Sequence, residues 1–96
     1  MSHRIILSPG ARADIKSAVR WYQREDIKLS LRFRVETQVT LRRIAQNPNS
    51  FPLLRGTIRR ALMNKFPYSV YFSANTDEVL VRAVLHQRRF NLWCKR

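Results

Sequence analysis

The second half of this sequence concentrates cationic and aromatic side chains of the types that handle nucleic acid. Arginine stabilises the charge that develops at a scissile phosphate, histidine or tyrosine can transfer a proton, and aromatic rings stack on bases. The same side chains would serve equally well for binding without catalysis. The set consists of Arg59, Arg60, Tyr68, Tyr71, Arg82, His86, Arg88, Arg89 and Trp93.

Some members of this set have simpler explanations. The two tyrosines are of a type that fills a core more often than it forms a site, and His86 alone is more typical of a hydrogen-bonded strand end. Trp93 would serve equally well to hold the tail of the chain against the core. Arg82 is harder to explain, because an arginine in the middle of a strand needs either solvent or a carboxylate partner, for which Asp14 is a candidate.

Other enzyme classes receive little support from the residues. A chain with two glycines, two histidines and one cysteine offers neither a glycine-rich phosphate loop nor a metal-ligand cluster. Its six carboxylates fall on predicted helices or beside predicted turns, so a catalytic pair in a pocket is not expected. We therefore expect neither a cofactor nor a metal ion.

The net charge is the clearest compositional signal. Nineteen Lys and Arg against six Asp and Glu give +13, and fifteen of the nineteen are arginine. Residues 1–54 hold ten basic and four acidic residues, and residues 55–96 hold nine and two, so the excess is spread through the folded elements. Self-repulsion on this scale weakens the compact state and predicts an acidic partner: nucleic acid, a ribosome or an acidic protein segment.

Cysteine content and hydropathy indicate the cell compartment. Cys94 is the lone cysteine, so no internal disulfide can form, as is typical of a reducing cytosol. The first residues contain too short an apolar run for a signal peptide, and no stretch approaches 18 apolar residues. We expect a cytoplasmic protein of one domain, residues 1–96.

The first half of the chain predicts a strand followed by two helices. Arg4–Leu7 is a short apolar run that ends where Ser8 and Pro9 provide an N-cap and a first helical residue. Apolar residues at helical spacing, broadened by Trp21, continue this first helix to about residue 25 or 26. The second helix is predicted over Leu29–Gln46.

The second half predicts a turn, a loop and three strands. Residues 47–50 (NPNS) stop the second helix, and residues 51–56 (FPLLRG) are expected to form a loop with apolar anchors. The three strands are predicted at Ile58–Lys65, Tyr68–Ala74 and Val79–Leu85.

These elements predict an α+β fold in which a helical hairpin packs on one face of a three-stranded antiparallel meander. The first strand should join the meander at an edge or beside its last strand. Regular alternation along the last strand would place Arg82 and His86 on the same face of the sheet.

Four segments in this order cover most of the chain: SPGARADIKSAVRWY (8–22), LRRIAQNPNSFPLLRG (41–56), IRRALMNKFPYSVYF (58–72) and VLVRAVLHQRR (79–89). Together they resemble the RelE/ParE superfamily, the toxins of type II toxin–antitoxin pairs. The resemblance implies a cytosolic toxin that inhibits bacterial growth and whose antitoxin neutralises it with a helical, often acidic segment. Such an antitoxin would account for the charge of +13.

The superfamily divides by mechanism. RelE-like members cut mRNA on the ribosome, whereas ParE-like members share the fold and poison DNA gyrase. RelE-like nucleases carry an arginine where this chain has Ser69, and lysines on the preceding strand where it has Arg60 and Leu62. Arg88 matches their arginine after the last strand, but Trp93 and its neighbour occupy the region of their tyrosine. The FPY and VLHQRR segments are closer to the ParE side.

This division leaves three hypotheses open. A nuclease would use Arg60, His86 and Arg88. A gyrase inhibitor would instead use the basic and aromatic set to bind its target or the antitoxin, and the chain could also be a basic binding module without toxicity. The proposed binding residues are Arg59, Arg82, Arg89, Tyr68 and Trp93.

Overall fold

The computed structural model describes residues 2–89. These residues form two helices, α1 (Pro9–Glu25) and α2 (Ile27–Gln46). The five strands are β1 (Arg4–Leu7), β2 (Leu53–Arg55), β3 (Ile58–Leu62), β4 (Tyr68–Ala74) and β5 (Glu78–His86). Short 3-10 turns follow α2 and β5, at Pro48–Ser50 and Gln87–Arg89.

Side-chain caps fix where the helices begin. Ser8 Oγ accepts a hydrogen bond from the backbone N–H of Ala11 at 3.0 Å, which confirms Ser8 as the N-cap of α1. Asp26 closes α1 through its own N–H and opens α2 by accepting from the N–H of Lys28 at 2.9 Å. Because one residue serves both helices, α2 begins at Ile27, two residues before the predicted start.

The sheet has the order β1-β5-β4-β3-β2, with β1 parallel to β5 and the other pairs antiparallel. The predicted α+β class is confirmed, and β1 lies beside the last strand, as expected. Both helices pack on one face, where they cover the main core. The largest buried side chains of that core are Phe33, Ile44, Met63, Phe66 and Phe72.

The prediction of a loop over residues 51–56 is wrong at its centre, because Leu53–Arg55 is a strand that pairs with β3. Three residues are too few to show alternation, and Pro52 and Gly56 on either side of them indicate a turn instead. Gly56 makes the tight connection possible with a φ of 55°, a left-handed conformation that favours glycine. The meander therefore has four antiparallel strands rather than three.

Strand β3 also ends earlier than predicted, at Leu62 instead of Lys65. Lys65 has a φ of 69°, so the chain has already turned at that position. The backbone N–H of Met63 donates to the carbonyl of Tyr68 at 3.0 Å and closes this connection between β3 and β4.

A bulge in β5 changes which side chains share a face. Tyr71 pairs with Ala83 and Phe72 pairs with Val81, so Arg82 is the extra residue between them. Val81 and Val84 consequently both point into the core under the helices. The prediction that Arg82 and His86 share a face is therefore wrong: His86 packs with Tyr68 on the helix side, while Arg82 Nε donates to Ser73 Oγ at 3.3 Å.

Side chains at the start of α1 form hydrogen bonds with the backbone groups of β5 that do not pair with β1. Strand β1 pairs with β5 only as far as Val81. Beyond that point, Ser8 Oγ donates to the carbonyl of Arg82 at 3.1 Å, and Asp14 Oδ2 accepts from the N–H of Val84 at 3.0 Å. These two hydrogen bonds join α1 to the edge of the sheet.

Replacing Asp14 with Ala should lower the free energy of unfolding by about 1–3 kcal/mol, because the partly buried N–H of Val84 would lose its acceptor. Asp14→Asn keeps an acceptor oxygen and should lose less. Urea denaturation followed by circular dichroism measures both. Ser17→Ala, at an exposed position one turn away, is the matched control and should stay within about 0.5 kcal/mol of the original protein. An equally small effect of Asp14→Ala would contradict the anchoring role.

Candidate functional site

A cleft of about 530 Å³ lies between α1 and the end of the sheet where β4 begins and β5 ends. Aromatic side chains from both layers line it, together with a carboxylate and a guanidinium. Its main lining residues are Asp14, Trp21, Tyr22, Tyr68, His86 and Arg88.

His86 is held at one wall of this cleft by its neighbours. It pairs with Tyr68 in the sheet register, and the two rings meet edge to face with centroids 5.4 Å apart. The backbone N–H of Arg88 donates to His86 Nδ1 at 3.2 Å, so a neutral His86 carries its proton on Nε2. Gln87 N–H donates to the carbonyl of Pro67 at 2.9 Å and ties the turn after β5 to the start of β4.

Tyr22 connects the cleft to the core. Its ring lies 5.4 Å from that of Phe33 and 5.1 Å from that of Phe66. Burial raises the pKa of the Tyr22 phenol above its ordinary value of 10.0, and the charge of Tyr68 adds to the effect. Tyr22 therefore stays protonated at neutral pH, as a hydrogen-bonding and packing group rather than a base.

The three residues of the nuclease hypothesis are not brought together. His86 and Arg88 line the cleft on the helix side. Arg60 pairs with Tyr71, whose side chain lies in a second apolar cluster on the opposite face. Along β4, Tyr71 lies three residues from the partner of His86, which is about 10 Å of strand.

The residues that lie beside Arg60 on its face of the sheet are also unlike those of a cationic active site. Leu62 and Ser69 pair with each other on that face, and Ser69 is only 1% exposed. At the position where RelE-like nucleases carry an arginine, this chain therefore has the buried hydroxyl of Ser69.

The proposed binding residues are dispersed. Arg59 donates to the carbonyl of Phe51 at 2.6 Å and holds the segment before β2, which is a structural role. Tyr68 lines the cleft, and Arg82 lies on the other side of the sheet with Ser73. Trp93 and the side chain of Arg89 lie outside the part of the chain that the structure describes.

An apolar stripe on α2 went unpredicted. Three of its side chains, Ile27, Leu31 and Val35, are 56%, 57% and 59% exposed, and Val39 at 36% continues the line. We call these four residues the α2 stripe. Their spacing of four residues was the available signal, but it competes with the Phe33 face of the same helix.

Threonine residues occupy part of the buried side of α2. Thr37 and Thr40 are buried, and their hydroxyls donate to the carbonyls of Phe33 and Glu36, both at 2.8 Å. A hydroxyl that donates to a carbonyl of its own helix can be buried without leaving a polar group unpaired. The larger aliphatic side chains of α2 therefore lie on its exposed side. Trp21, expected on the buried face of α1, is likewise 54% exposed at the cleft.

Residues 2–89 offer neither a metal site nor a membrane-spanning helix. No three His, Cys, Asp or Glu side chains lie together in a way that could hold a metal ion. Neither helix in this range is long and apolar enough to cross a membrane.

Comparison with known proteins places these features in a family. Residues 5–90 match the family described as the ParE toxin of the type II toxin–antitoxin system, parDE. A solved structure of a chromosomal ParDE TA system from P. aeruginosa matches with a TM-score of 0.77 and 15% identity, over 88% of this chain and 96% of that chain. At that identity the match shows the shared fold alone. No curated protein matches the sequence.

The raised pKa of Tyr22 predicts how stability depends on alkaline pH. A phenol that ionises less readily in the folded state stabilises the fold fully below its unfolded pKa, and this contribution is lost as pH rises through the folded pKa. The free energy of unfolding should therefore fall as the pH rises from about 10, the ordinary pKa of a tyrosine, through the higher folded-state pKa, and Tyr22→Phe should remove part of that slope. Urea denaturation at several pH values measures it, with Trp21→Phe as a control that removes no ionisable group. An unchanged slope in Tyr22→Phe would contradict the shift.

Proposed function

We propose that this chain, which belongs to the ParE toxin family of type II toxin–antitoxin systems, inhibits bacterial growth in the cytoplasm by poisoning DNA gyrase, without cutting RNA. A cognate antitoxin neutralises it by covering its basic surface with an acidic helical segment. The gyrase target comes from the resemblance to ParE-like members, and the geometry of the chain supports a binding protein over a nuclease.

One observation carries the choice between mechanisms: Arg60 and His86 lie on opposite faces of the sheet. General acid–base catalysis and charge stabilisation at one phosphate require groups within hydrogen-bond reach of the same atoms. A strand layer separates these two side chains, so they cannot act on one phosphate. Cleavage by the combination of Arg60, His86 and Arg88 is therefore disfavoured.

The α2 stripe supports the antitoxin partner. Large apolar residues that are more than half exposed and arranged along one helix are typical of a surface that another helix covers. Lys28, Arg32 and Arg42 lie exposed on the same helix. An amphipathic acidic helix fits this combination, because its apolar side would cover the stripe while its carboxylates meet the cations.

Purified gyrase with relaxed plasmid tests the proposed target. The toxin should stop supercoiling and cause cleaved DNA to accumulate, because a poison traps the enzyme on broken strands. Pre-mixing with the antitoxin should restore supercoiling. Unchanged supercoiling at a large excess of toxin would remove the gyrase hypothesis. Primer extension on translated mRNA after induction tests the nuclease alternative, which requires new 5′ ends at codon positions. Normal growth after induction would contradict both toxin hypotheses and leave only the non-toxic binding module.

Substitutions in the α2 stripe test the antitoxin surface. Leu31→Asp combined with Val35→Asp should weaken antitoxin binding at least about a hundredfold, because two exposed apolar contacts become repulsive carboxylates. Leu53→Asp, at a position that is 55% exposed on β2, is the matched control and should bind normally. Titration calorimetry gives the affinities and circular dichroism confirms folding. Equal affinities for both variants would rule out the stripe as the docking surface.

A further inference from the structure

Four cations stand at every fourth position along the exposed side of α1. We call Arg12, Lys16, Arg20 and Arg24 the cation ladder, and all four side chains are exposed. With a rise of 1.5 Å per residue, successive members are about 6 Å apart and the ladder is about 18 Å long. Helix α1 holds this line in place because Ala18 and other residues on its opposite side are buried in the core.

Small residues leave the surface along the ladder open. Ala13 and Ser17, which lie between its members, are exposed and small, so a flat partner could approach closely. Asp14 is the acidic residue within this stretch, and its carboxylate is engaged with the N–H of Val84. A shallow groove of about 290 Å³ beside Lys16 and Arg20 adds a cation from α2, Arg34.

The spacing of the ladder also carries a cost for α1. Like charges at positions i and i+4 of a helix repel and destabilise it. Three such pairs follow one another here, from Arg12 to Arg24. A partner with regularly spaced negative charges would turn this repulsion into attraction.

We propose that the cation ladder binds the phosphate backbone of duplex DNA, without regard to sequence. Each strand of B-DNA presents a regular line of phosphates, so a ladder of four cations could neutralise up to four of them. Cations with small residues between them are typical of backbone contacts, whereas single strands are held on aromatic platforms. An amphipathic antitoxin helix needs apolar contacts, and these lie on the α2 stripe instead.

This inference goes beyond the proposed function, since it assigns a ligand to the toxin itself. A toxin that poisons a DNA enzyme would thereby contact the enzyme's substrate as well. The binding measurement contains no gyrase, so its outcome is independent of whether gyrase is the target.

The test compares two full-length variants with the same loss of charge. The ladder variant is R12Q/K16Q/R20Q/R24Q, and the control variant is R4Q/R43Q/R55Q/K65Q, at exposed positions outside α1. Each lowers the net charge from +13 by four, to +9. Fluorescence anisotropy with a labelled duplex of mixed sequence gives the dissociation constant at a series of salt concentrations, and circular dichroism confirms that both variants fold.

The original protein should bind with a steep dependence on salt. Losing four phosphate contacts should make the slope of log K against log salt shallower by about 3.6 and weaken binding at low salt at least about tenfold. The control variant should keep most of the slope. R12K/R20K/R24K, which keeps the charge of the ladder, should bind like the original protein.

Three results would overturn the proposal. The first is a ladder variant whose affinity and salt slope equal those of the control variant. The second is a ladder variant that keeps its DNA affinity but loses antitoxin affinity, which would assign the ladder to the protein partner. The third is tighter binding of the original protein to a single strand of the same length than to the duplex.

Discussion

Strand β5 is longer than β1, the strand beside it, so part of its edge has no strand partner. The backbone groups on that part of the edge determine where α1 lies on the sheet. Buried or half-buried backbone groups need partners, and here the side chains of Ser8 and Asp14 supply them. Both residues belong to the start of α1, so the helix is fixed along its length relative to the strand. The cleft between α1 and the sheet and the direction of the cation ladder follow from that one attachment.

The local part of this fold was predictable because short-range chemistry determines it. Ser8 and Pro9 mark the start of α1 in the sequence and cap it in the structure. β1 and β4 have the predicted bounds, and the predicted β5 is one residue short at each end. In each case a cap, a turn or an alternating pattern lies within a few residues of the boundary.

The errors arose where the deciding contact is distant in sequence. Leu53–Arg55 is a strand only because β3 lies beside it, and no pattern can appear in three residues. The bulge at Arg82 is a property of the pairing between β4 and β5, and it reverses the alternation that had placed Arg82 with His86. The same limitation applied to the site, since residue types alone could not show that Arg60 and His86 lie on opposite faces.

Charge then connects the stability of this protein to what it binds. A net charge of +13 on 96 residues opposes folding, and three like-charge pairs along α1 increase that opposition locally. Any acidic partner that binds only the folded chain stabilises it by mass action. The α2 stripe and the cation ladder lie on adjacent helices, and Arg34 of α2 lines a groove together with Lys16 and Arg20 of the ladder. An acidic segment that covers the stripe and extends over this groove would compete with DNA for the same cations, so that neutralisation would release the toxin from DNA and stabilise its fold in one step.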